Sequence, residues 1–203
     1  MQIKIKNEFP NVKVDVKEHD NGDITVTLSE QPRRTLGEVK CGEIVKLGDR
    51  EFYVLEHSAT TTAVLAKDSI KTMDYAGGGD YAKSDVRRYL NDTFYKELSK
   101  AVGASNIVEH TVKLVADDGT GKKLSVRDHV SLLTTDLYRR YREYLPAMGS
   151  PWWTATRVTH DESTGYARGV CCVGSGGVLG WVGCGCGCGV RPFCVLDSSI
   201  FVS

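Results

Sequence analysis

The stretch from Gly165 to Gly189 restricts the fold more than any other part of this 203-residue chain. Ten of its twenty-five residues are glycine and five are cysteine, so large side chains are scarce over a length that should contain two strands and their loops. The stretch lies between two runs rich in aromatic and β-branched residues, 152–156 and 193–202, and each predicts a buried strand. We expect the Gly/Cys stretch to be a presented face held between these strands.

The overall composition is that of an ordinary globular chain, with one substantial domain and a small appendage. Hydrophobic residues make up 41% and charged residues 26%, and 26 basic residues balance 26 acidic ones. A net charge of zero argues against a general nucleic-acid or anionic-membrane binder. No apolar run has the character of a signal peptide or the length of a membrane span. We therefore expect synthesis in the cytoplasm, no nucleic-acid partner and no membrane span.

The first thirty residues carry three short alternating runs, IKIK, VKVDV and ITVTL, which predict small β-strands separated by turns. They define an N-terminal β segment, 1–32. Each run has only one apolar face, so the segment requires a covering partner. Two interpretations stay open: an attachment or oligomerisation element, or a peripheral strand layer of the following domain.

The central part of the chain mixes strand and helix signals. The segments 42–48 and 51–57 predict a β-hairpin, and 62–66 predicts a further strand. The segments 112–115 and 130–133 predict two short strands around the turn at 117–119. Ser84 is a good N-cap for a helix whose apolar positions are Val86, Leu90, Phe94 and Leu98. A second helix begins near Thr135 and ends before Pro146, with its arginines facing solvent. The prediction is an α+β fold with two helices and short antiparallel strands.

The cysteines invite a metal or redox interpretation, which their spacing disfavours. Six of the seven cysteines follow position 170, and three of them alternate with glycine at 184, 186 and 188. Structural zinc sites typically place two residues between paired cysteines, and thiol redox sites usually have the same Cys-x-x-Cys spacing. Neither pattern occurs here. We expect no metal and no cofactor, and mostly reduced thiols.

Other catalytic motifs are also missing from the sequence. The glycines do not form a phosphate loop, the histidines do not have zinc-protease spacing, and no Gly-x-Ser-x-Gly elbow occurs. The sequence therefore predicts a protein that is not an enzyme. Arg191, between Val190 and Pro192, is predicted to form a structural ion pair with a buried carboxylate.

Several segments, taken in order, resemble a family of domains of unknown function, DUF6273, which is common in gut bacteria and their phages. The resemblance covers residues 36–203. The segments that carry it are Phe52-x-Val54-Leu55-Glu56-His57, Ser84-x-x-Arg87-x-x-Leu90-Asn91, 130–134, Tyr138-Arg139, 152–156 and Gly189-Val190-Arg191-Pro192. Some members of the family resemble the variable proteins of diversity-generating retroelements, in which error-prone reverse transcription replaces adenines of a template. The resemblance therefore implies a C-type-lectin-like ligand-display domain over 36–203, with a variable region at about 153–189.

The resemblance also suggests which positions vary. An AAC codon changed at its first two bases can become any codon ending in C, and these codons include those for Gly, Cys, Val, Arg and Ser but none for Trp. Trp181 is therefore either fixed or derived from another codon. The implied variable, ligand-binding positions are Arg168, Gly169, Cys171, Cys172, Gly174, Gly180, Trp181, Val182, Gly183, Cys184, Gly185, Cys186, Gly187 and Cys188. The implied scaffold positions are Val170, Val173, Gly177 and Leu179 between them, with Trp152, Trp153, Gly189, Val190, Arg191 and Pro192 around them.

The resemblance also implies partners and a location. The expected ligand is a bacterial-surface molecule or protein, contacted by a phage-encoded receptor-binding or adhesion protein on a virion tail or a cell surface. Variable positions should be exposed, because only exposed positions tolerate arbitrary side chains. Two alternatives stay open: a fixed structural or assembly protein, and an enzyme related to the sulfatase-activating oxidases, which share the lectin-like fold and use a thiol-dependent copper site. A homo-oligomer is a further option that no residue pattern specifies.

Overall fold

The computed structural model describes residues 12–30, 34–122, 124–159 and 169–202. The chain divides into two compact units, Met1–Arg34 and Thr35–Ser203. The first unit contains a hairpin of β1 (Val12–Glu18) and β2 (Ile24–Glu30), joined by a turn in which Gly22 has a φ of 84°. This confirms the strands predicted from VKVDV and ITVTL. The IKIK run lies outside the described residues.

The second unit is a mixed α+β structure dominated by strands, which confirms the predicted class at that level. Its strands, and β3 at the boundary between the units, are β3 (Arg34–Thr35), β4 (Ile44–Leu47), β5 (Arg50–His57), β6 (Thr61–Ala66), β7 (Lys71–Met73), β8 (Ile107–Val108), β9 (His110–Lys113), β10 (Ser125–Asp128), β11 (Val130–Ser131), β12 (Trp152–Arg157), β13 (Gly169–Val173), β14 (Leu179–Gly183), β15 (Cys188–Val190), β16 (Phe193–Asp197) and β17 (Phe201–Val202).

Two helical regions accompany the sheets, as predicted. The first consists of α1 (Asp85–Tyr89), a π-turn (Leu90–Phe94) and α2 (Tyr95–Val102), and the second of α3 (Thr135–Tyr141) with a 3₁₀ turn (Arg142–Tyr144). The four predicted apolar positions of the first region are all buried. Their strict four-residue spacing drifts around a helix of 3.6 residues per turn, and the wider π-turn counteracts that drift.

Both helical regions begin at a capping hydroxyl, of which the sequence predicted Ser84. Ser84 Oγ accepts a hydrogen bond from the Arg87 backbone N–H at 3.1 Å, and Thr134 Oγ1 accepts one from the Leu137 N–H at 3.2 Å. These hydroxyls satisfy N–H groups that a helix leaves unpaired at its start. Short 3₁₀ turns occur at Leu36–Glu38, Gly77–Gly79, Tyr81–Lys83 and Ala104–Asn106.

The first large sheet has the strand order β11-β16-β6-β5-β4, with β8 also paired to β16. All of its pairings are antiparallel, and β4 and β5 form the predicted hairpin. β16, from the last part of the sequence, is an interior strand of this sheet, between β6 on one side and β11 and β8 on the other. The predicted strand 193–202 is interrupted, because Asp197 ends β16 and Phe201 begins the separate β17.

The second large sheet has the order β14-β13-β12-β15-β7 and carries the Gly/Cys stretch. The β12–β15 pairing is parallel and the others are antiparallel. Consecutive strand residues face opposite sides, so the adjacent Trp152 and Trp153 enter different hydrophobic clusters. Each tryptophan is at most 1% exposed, which confirms a buried strand at 152–156.

One predicted strand pairing is wrong. The turn at 117–119 is enclosed by β9 and β10, whereas the predicted partner 130–133 contributes only β11, which pairs with β16. β10 reads Ser-Val-Arg-Asp, with a single apolar residue, and so gives almost no alternation signal. No helix within the described ranges combines the length and the apolar character required to cross a bilayer.

Candidate ligand-binding surface

The Gly/Cys stretch forms a hairpin of β13 and β14 followed by a loop to β15. Direct cross-strand pairs are Gly169 with Gly183, Cys171 with Trp181, and Val173 with Leu179. The hairpin turn closes through the Gly174 N–H, which donates to the Val178 carbonyl at 2.8 Å. β13 lies between β12 and β14, whereas β14 has one described neighbour and forms an edge of the sheet.

Burial separates the predicted variable positions into two groups. Gly169, Cys171, Cys172 and Cys188 are buried, so their expected exposure is wrong. The physical reason is sheet position: β13 is an inner strand, and β15 lies between β12 and β7. Arg168 lies outside the described residues. Among the implied scaffold positions, Val170, Val173 and Gly177 are buried and Leu179 is partly buried.

Residues 174–187 form the exposed part, which we call the Gly-rich edge. Predicted variable positions that are exposed are Gly180, Trp181, Gly183, Gly185, Cys186 and Gly187, and those that are partly buried are Gly174, Val182 and Cys184. The sequence prediction missed Ser175, Gly176 and Val178, which are exposed in the hairpin turn. The Gly-Ser-Gly-Gly turn signal at 174–177 could have identified them.

Trp181 is the large aromatic side chain of the Gly-rich edge and is 48% exposed. Its ring lies over Gly169 on the neighbouring strand: a side-chain carbon at Gly169 would lie 3.6 Å from Trp181 Cε3 and 3.1 Å from Val158 Cβ. The space left by a glycine therefore accommodates the indole. Cys171, directly opposite Trp181, is 6% exposed and cannot offer its thiol to a large ligand.

The space around each glycine distinguishes the Gly-rich edge from its supports. A side chain at Gly176, Gly180 or Gly185 would begin in open space, with nothing within 4 Å of its first carbon. The same carbon at Gly189 would overlap Ser69 Oγ and lie 2.8 Å from Ser69 Cβ. The exposed glycines can therefore be replaced without a steric clash, whereas Gly189 cannot.

Gly177 is a support within the Gly-rich edge. Its φ of +78° is unfavourable for other residues, and a side chain there would meet Arg142 Nη2 at 2.7 Å. Its carbonyl accepts a hydrogen bond from the Tyr138 hydroxyl at 2.6 Å. The hairpin turn is thus attached to α3 and the 3₁₀ turn that follows it.

Arg191 is 1% exposed, but it does not form the predicted ion pair. Its Nε donates to the Ala66 carbonyl at 2.6 Å, and its Nη atoms have no hydrogen-bond partner among the described residues. The guanidinium lies 5.0 Å from the centre of the Trp152 ring and 5.7 Å from that of Tyr53. Burial lowers the pKa of Arg191 to about 10, so the group remains charged at neutral pH. Aromatic faces occupy the place where a carboxylate was expected.

The loop of the Gly-rich edge is also attached to the chain before α1. The backbone N–H groups of Tyr75 and Ala76 both donate to the Cys184 carbonyl, at 2.9 and 3.2 Å. Ala76 has a φ of 57°, which is unfavourable for a residue with a Cβ. The arrangement fixes the backbone at 184 while Cys186 and its neighbouring glycines remain exposed.

The motif around the first helix has structural roles. Ser84 caps the helix and Leu90 is buried in the core. Arg87 forms an ion pair with Asp128, with 2.7 Å between Nη2 and Oδ1, and the Asp128 side chain is almost fully buried. Asn91 binds the backbone after β10, donating to the Val130 carbonyl at 2.8 Å and accepting from the His129 N–H at 3.1 Å. None of these four residues lies in the Gly-rich edge.

Glu56 and His57, also in the resemblance, connect β5 to its surroundings. The Glu56 carboxylate accepts hydrogen bonds from Arg140 and from the Tyr141 hydroxyl. His57 Nε2 donates to the Val39 carbonyl at 2.7 Å, and its Nδ1 is hydrogen-bonded to the Thr62 hydroxyl at 2.9 Å. Both residues are bound within the fold and have no evident catalytic geometry.

The seven cysteines are free thiols with contrasting environments. Burial raises the pKa of Cys171 to about 12 and that of Cys188 to about 11, and it also raises the pKa of Cys172. Such thiols stay protonated at neutral pH, whereas metal binding and nucleophilic attack require thiolate. In the described ranges, no three His, Cys, Asp or Glu side chains are grouped to hold a metal ion.

Two cavities lie outside the Gly/Cys stretch. One, of about 340 Å³, is bordered by charged residues of β4 and β5 and by Ser69, and another, of about 250 Å³, by residues including His110, Leu137 and Phe193. Neither has a lining residue within 169–187. A ligand at the Gly-rich edge would therefore bind a surface of the molecule instead of entering these cavities.

Comparison with protein-family models, with curated proteins and with solved structures finds no match to this chain.

Proposed function

We propose that this chain is a non-enzymatic ligand-display protein, in which the Gly-rich edge contacts the ligand and a C-type-lectin-like second unit supports it. The observation that carries the proposal is the contrast among the glycines. Side chains can be added without a clash at Gly176, Gly180 and Gly185, but not at Gly177 or Gly189. A display surface needs this combination, because its contact residues must vary while its backbone stays fixed.

The proposal extends to diversification by a retroelement, with the chain as its variable protein. Two observations support it: the resemblance, and the concentration in the Gly-rich edge of amino acids whose codons can arise from AAC. Gly, Cys and Val account for most of the Gly-rich edge, and most of its residues are exposed. Contact is proposed for Gly174, Gly180, Trp181, Val182, Gly183, Cys184, Gly185, Cys186 and Gly187. Cys171, Cys172 and Cys188 are left out because they are buried.

The proposed partner is a bacterial-surface molecule or protein, and the proposed location is a phage tail or a cell surface. Tight interfaces usually depend on a few Trp, Tyr or Arg side chains. Within the described part of the Gly-rich edge, Trp181 is the one residue of these types. We therefore expect this sequence variant to bind weakly, with most of its binding energy from Trp181.

Sequencing the gene from sister isolates tests the proposal. Diversification predicts substitutions concentrated at exposed codons of 174–187 that derive from adenine-containing template codons, with Trp152, Trp153 and 189–192 unchanged. It also predicts a neighbouring reverse-transcriptase gene and a near-repeat of the 3′ coding region. Substitutions spread evenly along the gene would contradict the proposal and favour a fixed structural or assembly role.

A further inference from the structure

The hairpin turn of the Gly-rich edge, residues 174–177, already uses most of its hydrogen-bond acceptors within the protein. The Gly174 carbonyl accepts from the Gly177 N–H at 2.9 Å, and the Ser175 carbonyl accepts from the Gly149 N–H at 3.1 Å. The Gly177 carbonyl accepts from the Tyr138 hydroxyl at 2.6 Å. The turn therefore has little acceptor capacity left to offer a ligand.

The donors of the same turn are in the opposite state. Among the described residues, no acceptor receives a hydrogen bond from the Ser175 N–H, from the Ser175 hydroxyl or from the Gly176 N–H. Both residues are exposed. An exposed turn with occupied acceptors and unused donors favours a ligand group that accepts several hydrogen bonds.

Arg142 adds a positive charge to this turn. Its side chain is exposed but fixed, because Nη1 donates to the Leu145 carbonyl at 2.8 Å and the guanidinium lies 5.6 Å from the centre of the Tyr138 ring. A Cβ at Gly177 would lie 2.7 Å from Arg142 Nη2. The guanidinium can therefore lie against the backbone of the turn only because residue 177 is glycine.

The charge of Arg142 is not neutralised within the described part of the chain, where it forms no ion pair. Its neighbours in sequence differ in this respect. Arg139 pairs with Asp136 at 2.9 Å, and Arg140 pairs with Glu56. Arg142 is thus a preorganised cation at the Gly-rich edge that is available to a ligand.

We propose that Arg142 and the turn 174–177 form an anion subsite, which binds an oxyanion of the ligand, either a carboxylate or a phosphate group. The planar guanidinium fits both groups, and their oxygens can accept from the turn donors at the same time. The inference rests on the proposed function, because it names the chemistry of the ligand that the Gly-rich edge contacts. Such charge complementarity contributes more to the choice of ligand than to affinity, which leaves Trp181 as the main source of binding energy.

The subsite consists of positions that the resemblance does not implicate in variation, apart from Gly174. Gly174 contributes backbone groups, which are present with any side chain. Variants that differ elsewhere along the Gly-rich edge would therefore share the subsite. Their ligands would have an oxyanion in common and differ in the groups around it.

An NMR titration of the full, isotope-labelled chain tests the subsite at constant ionic strength. The probes are sodium phosphate and sodium acetate, with uncharged acetamide as the control. At least one anion should shift the Ser175 and Gly176 N–H resonances and the Arg142 Nε–H resonance in a saturable manner, and acetamide should not. The stronger anion identifies the subsite as one for phosphate or for carboxylate groups. No saturable shift at these groups with either anion would overturn the proposal.

Two variants that each remove one positive charge show whether Arg142 is responsible. Arg142→Gln should raise the dissociation constant of the stronger anion about tenfold, because hydrogen bonds to a charged group are lost. Arg139→Gln is the matched control, since that side chain is bound to Asp136, and it should leave the dissociation constant unchanged. Equal effects of the two variants would contradict the assignment to Arg142.

Ser175→Pro keeps the test valid if R142Q does not fold. Ser175 is the second residue of the β-turn closed by the Gly177 N–H and the Gly174 carbonyl, a position at which proline is favoured. The variant removes the N–H and the hydroxyl and leaves Arg142 in place, so the dissociation constant should rise severalfold. An unchanged constant would show that the turn donors do not bind the anion.

Failure of the subsite and failure of the proposed function give different results. The titrations use small anions and do not depend on whether the gene is diversified. A missing anion site together with substitutions concentrated at 174–187 in sister isolates would remove the subsite alone. A saturable anion site together with evenly spread substitutions would support the subsite and contradict display.

Discussion

β13 and β14 are neighbouring strands with similar compositions, Gly-Val-Cys-Cys-Val and Leu-Gly-Trp-Val-Gly, but they have opposite environments. Every residue of β13 is buried, whereas every residue of β14 is exposed or partly buried. The difference follows from order in the sheet, because β12 and β14 flank β13 while β14 is an edge strand. Residue type alone therefore does not identify a display position. What matters is whether a neighbouring strand and its packed layer cover it.

The largest difference between the two environments should appear on removal of a tryptophan. Trp153 is fully buried. Its ring packs edge to face against that of Tyr75, with 5.2 Å between the ring centres, and its Nε1 donates to the Met73 carbonyl at 2.9 Å. Trp153→Ala should lower the free energy of unfolding by about 3–5 kcal/mol, measured by urea denaturation. Trp181→Ala is the matched control and should cost less than about 1 kcal/mol, because that side chain is half exposed. Equal losses would contradict the assigned environments.

A smaller but sharper comparison uses glycine. Gly189→Ala should destabilise the chain by about 1–3 kcal/mol, since its methyl group would overlap Ser69. Gly185→Ala, four residues earlier and in open space, should change the stability by no more than about 0.5 kcal/mol. Thermal denaturation of both variants measures the contrast. A tolerated alanine at 189 would show that the support around this glycine is looser than described.

The buried thiols should make stability depend on alkaline pH. Burial raises the pKa of Cys194 above its ordinary value of about 9, so only the unfolded chain ionises there as the pH rises past 9. The stabilising contribution is complete below pH 9 and is lost as the pH rises toward the folded pKa, by about 1.4 kcal/mol per pH unit.

Cys194→Ala should therefore flatten the decline of the unfolding free energy between pH 9 and 11. The measurement is urea denaturation at several pH values. A slope unaffected by C194A would mean that this thiol ionises in the folded chain.

The smallest expected effect concerns the bond that links the two environments. Tyr138→Phe removes the hydroxyl that donates to the Gly177 carbonyl. It keeps the aromatic ring, whose centre lies 5.6 Å from the centre of the Trp152 ring. The loss should be about 0.5–1.5 kcal/mol. Amide exchange measured by NMR should accelerate at the Gly174 and Gly177 N–H groups that close the turn. Unchanged exchange there would indicate that the turn is stable without this bond.

Local patterns predicted much of the fold. The helix positions, the β4–β5 hairpin and the Trp152–Trp153 strand follow from periodicity, capping and residue type within short segments. β10 could not be found in that way, because Val126 is its only apolar residue. Periodicity also does not reveal the π-turn at Leu90–Phe94, which depends on tertiary packing as well as on local propensity.

The candidate site was only partly predictable for a different reason. The sequence identified the Gly/Cys stretch 165–189 through its composition, but it could not distinguish the buried Cys171 and Cys172 from the partly buried Cys184 and the exposed Cys186. Their burial depends on strand order, which arises from pairings distant in sequence. Likewise, the sequence indicated that Arg191 needs a buried interaction partner. It did not show that the aromatic rings of Trp152 and Tyr53 take the place of a carboxylate.

The most direct test of the central claim, that one Gly/Cys stretch combines a fixed support with a substitution-tolerant edge, is a pair of randomised libraries sorted for protease resistance. One library varies Gly176, Gly180, Trp181, Gly185 and Cys186, and the other varies Gly169, Cys171, Cys172, Cys188 and Gly189. The account predicts that most members of the first library remain folded and that few members of the second do. Equal folded fractions in the two libraries would contradict it.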